Sequence, residues 1–80
     1  MTYQQAFDEA RAICHAQGVT MALVHDPVGR EDWETEEEAY SYCPEPQRAL
    51  LFRWGRLVVT FRPYGLDKIE AQPAPAIPRA

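Results

Sequence analysis

Arg48-Ala49-Leu50-Leu51-Phe52-Arg53-Trp54-Gly55-Arg56-Leu57-Val58-Val59-Thr60-Phe61-Arg62 is the stretch on which the fold turns. Two runs rich in apolar, aromatic and β-branched residues flank Gly55-Arg56, and a glycine at the first of two central positions suits a tight hairpin turn. Pairing Trp54 with Leu57 lines Leu50, Phe52, Trp54, Leu57, Val59 and Phe61 along one face. The other face receives Ala49, Leu51, Arg53, Val58, Thr60 and Arg62. Sliding the turn to Trp54-Gly55 leaves both sets unchanged, so the stretch predicts a hairpin with an aromatic core face and an arginine-bearing outer face.

Upstream of this hairpin, Tyr40-Ser41-Tyr42-Cys43 alternates as a strand does before Pro44-Glu45-Pro46 interrupts it. Val19 to His25 is apolar at both parities and ends in the turn-like Asp26-Pro27-Val28-Gly29, which describes a strand covered on both faces. At the N-terminus Tyr3, Ala6, Phe7, Ala10, Ile13 and Cys14 recur at helical spacing. Thr2 and Gln5 form a capping-box pair and Gly18 a left-handed stop, so the helix spans about residues 3 to 17. Downstream, Pro63-Tyr64-Gly65 ends the last strand, and residues 66 to 71 have room for at most one helical turn.

These elements predict an α+β fold: one N-terminal helix packed on a small, mostly antiparallel four-stranded sheet, in the order helix, strand, acidic loop, three-strand meander. Residues 1–70 form the single domain, with an acidic loop at 30–38 inserted between strands, and 71–80 a Pro/Ala-rich extended tail. The hairpin's aromatic face is expected to meet Phe7, Ala10, Ile13 and Cys14. One helix covers one face only, so the first strand's second face needs another cover. A homodimer through the outer sheet faces is one solution, and a heterologous partner is another.

Charge is segregated. The chain carries 12 acids and 8 basic residues, a net charge of −4, yet Glu31, Asp32, Glu34, Glu36, Glu37 and Glu38 supply six of the acids within eight positions. Without that run the remainder carries a net charge of +2. The N-terminus lacks the basic start and apolar stretch of a secretory signal, and no run is long and apolar enough to span a bilayer. A cytoplasmic protein without membrane contact, with Cys14 and Cys43 as reduced thiols, is the expectation.

The parts of an active site are missing. Cys14, His15, His25 and Cys43 follow no zinc-binding spacing, and neighbouring His25 and Asp26 point to opposite faces of a strand, which denies them a dyad. Ser41 is the single serine, and the four glycines are scattered at turns, so neither a serine nucleophile nor a phosphate loop is assembled. Crowded, exposed acids do not acquire the separated pKa values of catalytic carboxylates, and the run lacks the glycine and alternating aspartates of a calcium loop. No enzyme activity, cofactor or metal is expected.

Two binding features remain. The acidic segment projects a negative field, and Trp33 in its middle offers an interface anchor, which together suit a basic protein surface or, in a looser version, imitate nucleic-acid phosphates. Arg53, Arg56 and Arg62 on the outer hairpin face form the second candidate. They suggest a nucleic-acid-binding module as the alternative, ranked below protein because the aromatics lie on the opposite face and the chain is acidic. A small structural subunit completed by its neighbours is a third reading. A short chain with segregated charge and no catalytic set has the build of many binding regulators and inhibitors, among them phage- and plasmid-encoded inhibitors of host or defence proteins.

Overall fold

The N-terminal helix forms where its spacing and end signals place it. In the computed structural model, which describes residues 1–28, 33, 35–64 and 68–74 and only the backbone of Glu36, α1 runs Tyr3–Gln17. The Gln5 N–H donates to the Thr2 hydroxyl at 3.2 Å while the Thr2 N–H donates to Gln5 Oε1 at 3.0 Å, which satisfies two amides reciprocally. Gly18, at φ 65°, ends the helix by donating its N–H to the Cys14 carbonyl at 2.9 Å. Ala6, Ala10 and Cys14 make a buried stripe of small side chains along the inner side.

That stripe lies on a four-stranded sheet built from β1 (Met21–His25), β2 (Tyr40–Pro44), β3 (Arg56–Pro63) and β4 (Ile69–Pro73). The order is β2-β1-β3-β4, with every neighbouring pair antiparallel. The chain is therefore α+β, a helix on a four-stranded antiparallel sheet. Under α1 the core joins Met21, Leu23, Val59 and Phe61 to the helix stripe, and Phe7 meets Phe61 edge-on with ring centroids 4.9 Å apart.

The membership of the sheet differs from the sequence reading. The expected hairpin at Gly55-Arg56 does not form: Glu45–Gln47 is a 3₁₀ turn, Arg48–Leu51 is a short helix, α2, and Arg53-Trp54 is a turn. Prolines at 44 and 46 break the strand and suit a helix start, and Arg-Ala-Leu-Leu is composed of strong helix formers. Phe52 N–H closes the turn on the Arg48 carbonyl at 2.8 Å. Leu50 and Trp54, expected in the core, are exposed. β4 replaces this stretch as the fourth strand, where at most a helical turn and then a tail were expected. Its Ala71, Gln72 and Pro73 pair with Phe61, Thr60 and Val59, so the boundary placed at residue 71 falls inside a strand. A proline is tolerated there because β4 is an edge. Residues 75–80 lie outside the described residues.

A second difference is one residue wide. Leu23 pairs with Val59 but Val24 pairs with Leu57, so Val58 is the extra residue of a β-bulge. The bulge sends Leu57 to the face of Val24 and lets Val58 pack toward the α1 core, the reverse of their expected sides.

Strand order also answers what covers the second face. β2 ends beside Met21 and β3 begins beside His25, so the connection must run back along the sheet, and α1 occupies one face. The other face, where Ala22, Val24, Cys43 and Thr60 are buried, is left to residues 45–55, whose α2 packs beside β2. The passage is tight at Gly55, where a Cβ would stand 3.1 Å from that of Phe52 and 3.5 Å from that of Asp26. The chain thus covers the centre of its own second face.

Phe61→Ala should destabilise the fold by about 3–5 kcal/mol, because it opens a cavity under α1; chemical denaturation checks this. Truncation after Ala71 removes the pairing of Gln72 and Pro73 and the 2.9 Å hydrogen bond from Ala74 N–H to the Val58 carbonyl. Each lost ladder bond is worth about 0.5–1.5 kcal/mol, and about 1 kcal/mol lowers Tm by about 4–8 °C in a domain of this size. A calorimetric scan of the truncated chain should show that fall.

Candidate protein-binding surfaces

One end of the sheet brings the base of the acidic segment beside Arg56. His25 at the end of β1 pairs with Tyr40 at the start of β2 and with Arg56 at the start of β3. The acidic segment leaves and returns here, its base pinned by the Asp26 N–H donating to the Ala39 carbonyl at 2.8 Å. Inside it Glu36–Glu38 forms a single 3₁₀ turn, with Glu38 N–H on the Thr35 carbonyl at 3.0 Å.

An aromatic chain ties this base to α1. The His25 ring stacks on Tyr40 at 4.5 Å, and Tyr40 meets Tyr3 edge-on at 5.3 Å. The Tyr40 N–H donates to the Met1 carbonyl at 3.1 Å. The base of the acidic segment is thereby held against the first turns of the helix. Between them runs an open groove lined by Met1, Thr2, Gln5, Asp8, Glu9, Trp33 and Glu38. Trp33 is 75% exposed, and the Gln4 side-chain amide holds Asp8 Oδ1 at 2.9 Å. An indole face bordered by three carboxylates suits a guanidinium or ammonium group, through cation–π attraction and charge-assisted hydrogen bonds together. Asp8 and Glu9 join the candidate site here; no local signal in the sequence connects them to Trp33. Of the other acids, Glu37 is exposed, while Glu31, Asp32, Glu34 and the Glu36 side chain lie outside the described residues.

The arginines do not share a face. Arg53 sits in the turn after α2, its guanidinium 5.2 Å from the Trp54 ring centroid. Arg56 pairs with His25 and Arg62 with Glu70, and cross-strand partners share a side of the sheet. The bulge between them leaves Arg56 on the α1 side and Arg62, beyond Thr60, on the opposite one. Beside Arg53 stand side chains that the sequence reading assigned to the hairpin: Leu50, Leu51 and Trp54 are 84%, 55% and 71% exposed. The helix-forming run after Pro46 was the signal that could have found them.

Nucleophilic chemistry has little support. Cys14 is buried beneath α1 and Cys43, paired with Ala22, on the other face, so the sheet separates two unpaired thiols. Burial pushes both pKa values above the ordinary 9.0; at Cys43, Arg48 pulls the value back and Glu45 adds to the rise. Arg48 Nε lies 3.5 Å from Glu45 Oε1, close enough for an ion pair but without a hydrogen bond, and is itself shut off from solvent. Among the described residues no three metal-ligating side chains stand together, and no helix is long and apolar enough to cross a membrane.

A thiol whose pKa is raised by folding stays neutral in the folded state where the unfolded chain ionises, so its contribution is present below the unfolded value and lost as pH rises past it. The urea midpoint should therefore fall between pH 8 and pH 10, with the fall reduced in a Cys14→Ala/Cys43→Ala variant, and a thiol reagent should label the native protein only at the rate of its opening. No protein-family profile matches the chain, and no curated protein or solved structure shows significant similarity to it.

Proposed function

We propose that the protein is a non-catalytic regulator or inhibitor that acts by direct contact with another protein, receiving a basic side chain of the partner in the groove between α1 and the acidic segment. The observation that supports this reading is Trp33, held largely exposed beside Asp8, Glu9 and Glu38. A large side chain kept in water costs hydrophobic free energy that burial against a partner recovers, and exposed tryptophans ringed by polar groups are typical anchors. The carboxylates add speed and selectivity, since a concentrated negative field draws in a positive surface and repels a negative one. Such a function needs neither cofactor nor metal, and it accords with the build of phage- and plasmid-type inhibitors.

Affinity capture from cells of the source organism, followed by binding kinetics with the captured protein, tests the proposal. Glu37→Gln/Glu38→Gln should slow association at low salt, and the difference should shrink at high salt, where exposed charges are screened beyond about 8 Å. Trp33→Ala should mainly speed dissociation, by about 30-fold if it is a hot spot worth about 2 kcal/mol. Trp33 and Glu37 are exposed and Glu38 is half-buried, so the thermal transitions should stay close to the wild type. Unchanged kinetics in both would leave the groove as solvated surface.

A further inference from the structure

We propose that α2 and the turn after it form a second docking surface, independent of the groove, for an acidic protein segment that carries large apolar side chains. The segment 45–55 has a structural duty on its inner side, where Phe52 is half-buried, α2 packs beside β2 with Arg48 near the buried Cys43, and Gly55 approaches Asp26. Leu50, Leu51 and Trp54 serve no such duty. They are largely exposed and lie within five positions of one another. Isolated exposed apolar residues are ordinary; a cluster of two leucines and a tryptophan on an 80-residue chain marks an interaction surface. The cluster is also held in shape. The Phe52 N–H donates to the Arg48 carbonyl at 2.8 Å and the Gly55 N–H to the Phe52 carbonyl at 3.0 Å, so little ordering is left for binding to supply.

Charge selects the occupant. Residues 45–55 carry Arg48 and Arg53 against one acid, Glu45, and that acid is committed to Arg48 at 3.5 Å, which leaves Arg53 as the uncompensated charge of the patch. Among the described residues no carboxylate engages Arg53, whose guanidinium lies over Trp54 instead. A two-fold contact of this patch with itself would oppose arginine to arginine, which disfavours a second copy seated patch to patch. The complementary surface has leucine- or phenylalanine-like side chains bordered by aspartate or glutamate. It differs in sign from the partner proposed for the groove, and the two sites lie on opposite faces of the sheet, so both can be filled at once.

Selection of random peptides displayed on phage against the immobilised full chain reads the preferred chemistry directly. The expected result is enrichment of net-negative peptides with several large apolar residues. Their synthetic forms should bind the wild type about ten-fold or more tightly than Leu50→Ser/Trp54→Ala or Arg53→Glu, as for hot-spot loss. Trp33→Ala should bind them as the wild type does, which separates this surface from the groove. Amide spectra of each variant report its fold, and Arg53→Glu, at an exposed turn, retains the test should the double variant unfold. Enriched peptides that are basic or neutral, binding that persists in folded Arg53→Glu, or a failure to enrich any patch-dependent peptide would overturn the proposal. So would sedimentation showing self-association that Leu50→Ser/Trp54→Ala abolishes, since the occupant would then be a second copy.

Discussion

A five-residue strand buried on both faces has to be covered twice, and this constraint on β1 organises the rest of the protein. α1 supplies one cover through small side chains that let a helix settle on Met21 and Leu23. The second cover is the β2-to-β3 connection, which exists because β1 lies between two strands that run the same way. A hairpin link between those strands is geometrically closed, so a crossing of the sheet is obligatory. The 45–55 segment is therefore a lid on the core as well as a linker, and its inner and outer sides face different demands.

What could be read from the sequence was local. Thr2, Gln5 and Gly18 mark the ends of α1 by groups that act within four residues, and β1 and β2 announce themselves by composition and bounding prolines and turns. The stretch 48–54 defeats such reading because Leu50, Phe52 and Trp54 alternate as a strand does while Arg48 to Leu51 prefer a helix. The choice is made elsewhere, by β1 occupying the edge of β3 that a hairpin partner would need. β4 was hidden for the opposite reason. Its proline reads as a breaker, and only its place at the sheet edge makes that proline harmless. The bulge at Val58 leaves no mark in the sequence at all, yet it decides that Arg56 and Arg62 face apart.

The candidate sites follow the same division. Trp33 and its flanking acids stand out by composition, whereas Asp8 and Glu9 come beside Trp33 through the contacts among Tyr3, Tyr40 and Met1. Leu50 and Trp54 alternate onto the expected core face, the ordinary place for such residues, and Leu51 onto the outer face beside Arg53. Their exposure became visible only once the strand they were thought to form had proved to be a short helix. The outcome is a molecule with an acidic, tryptophan-bearing groove on one side and an arginine-flanked apolar patch on the other.

The separation of Cys14 from Cys43 by the sheet has a practical consequence. Each thiol is sealed by a different layer: Cys14 by α1, and Cys43 by the crossing segment. Their alkylation rates are therefore independent clocks for the lifting of two covers, read in one sample without any added label site. A ligand seated on the outer side of the crossing segment would slow one clock and leave the other running, so two native sulfur atoms can report which layer of the molecule an encounter has stiffened.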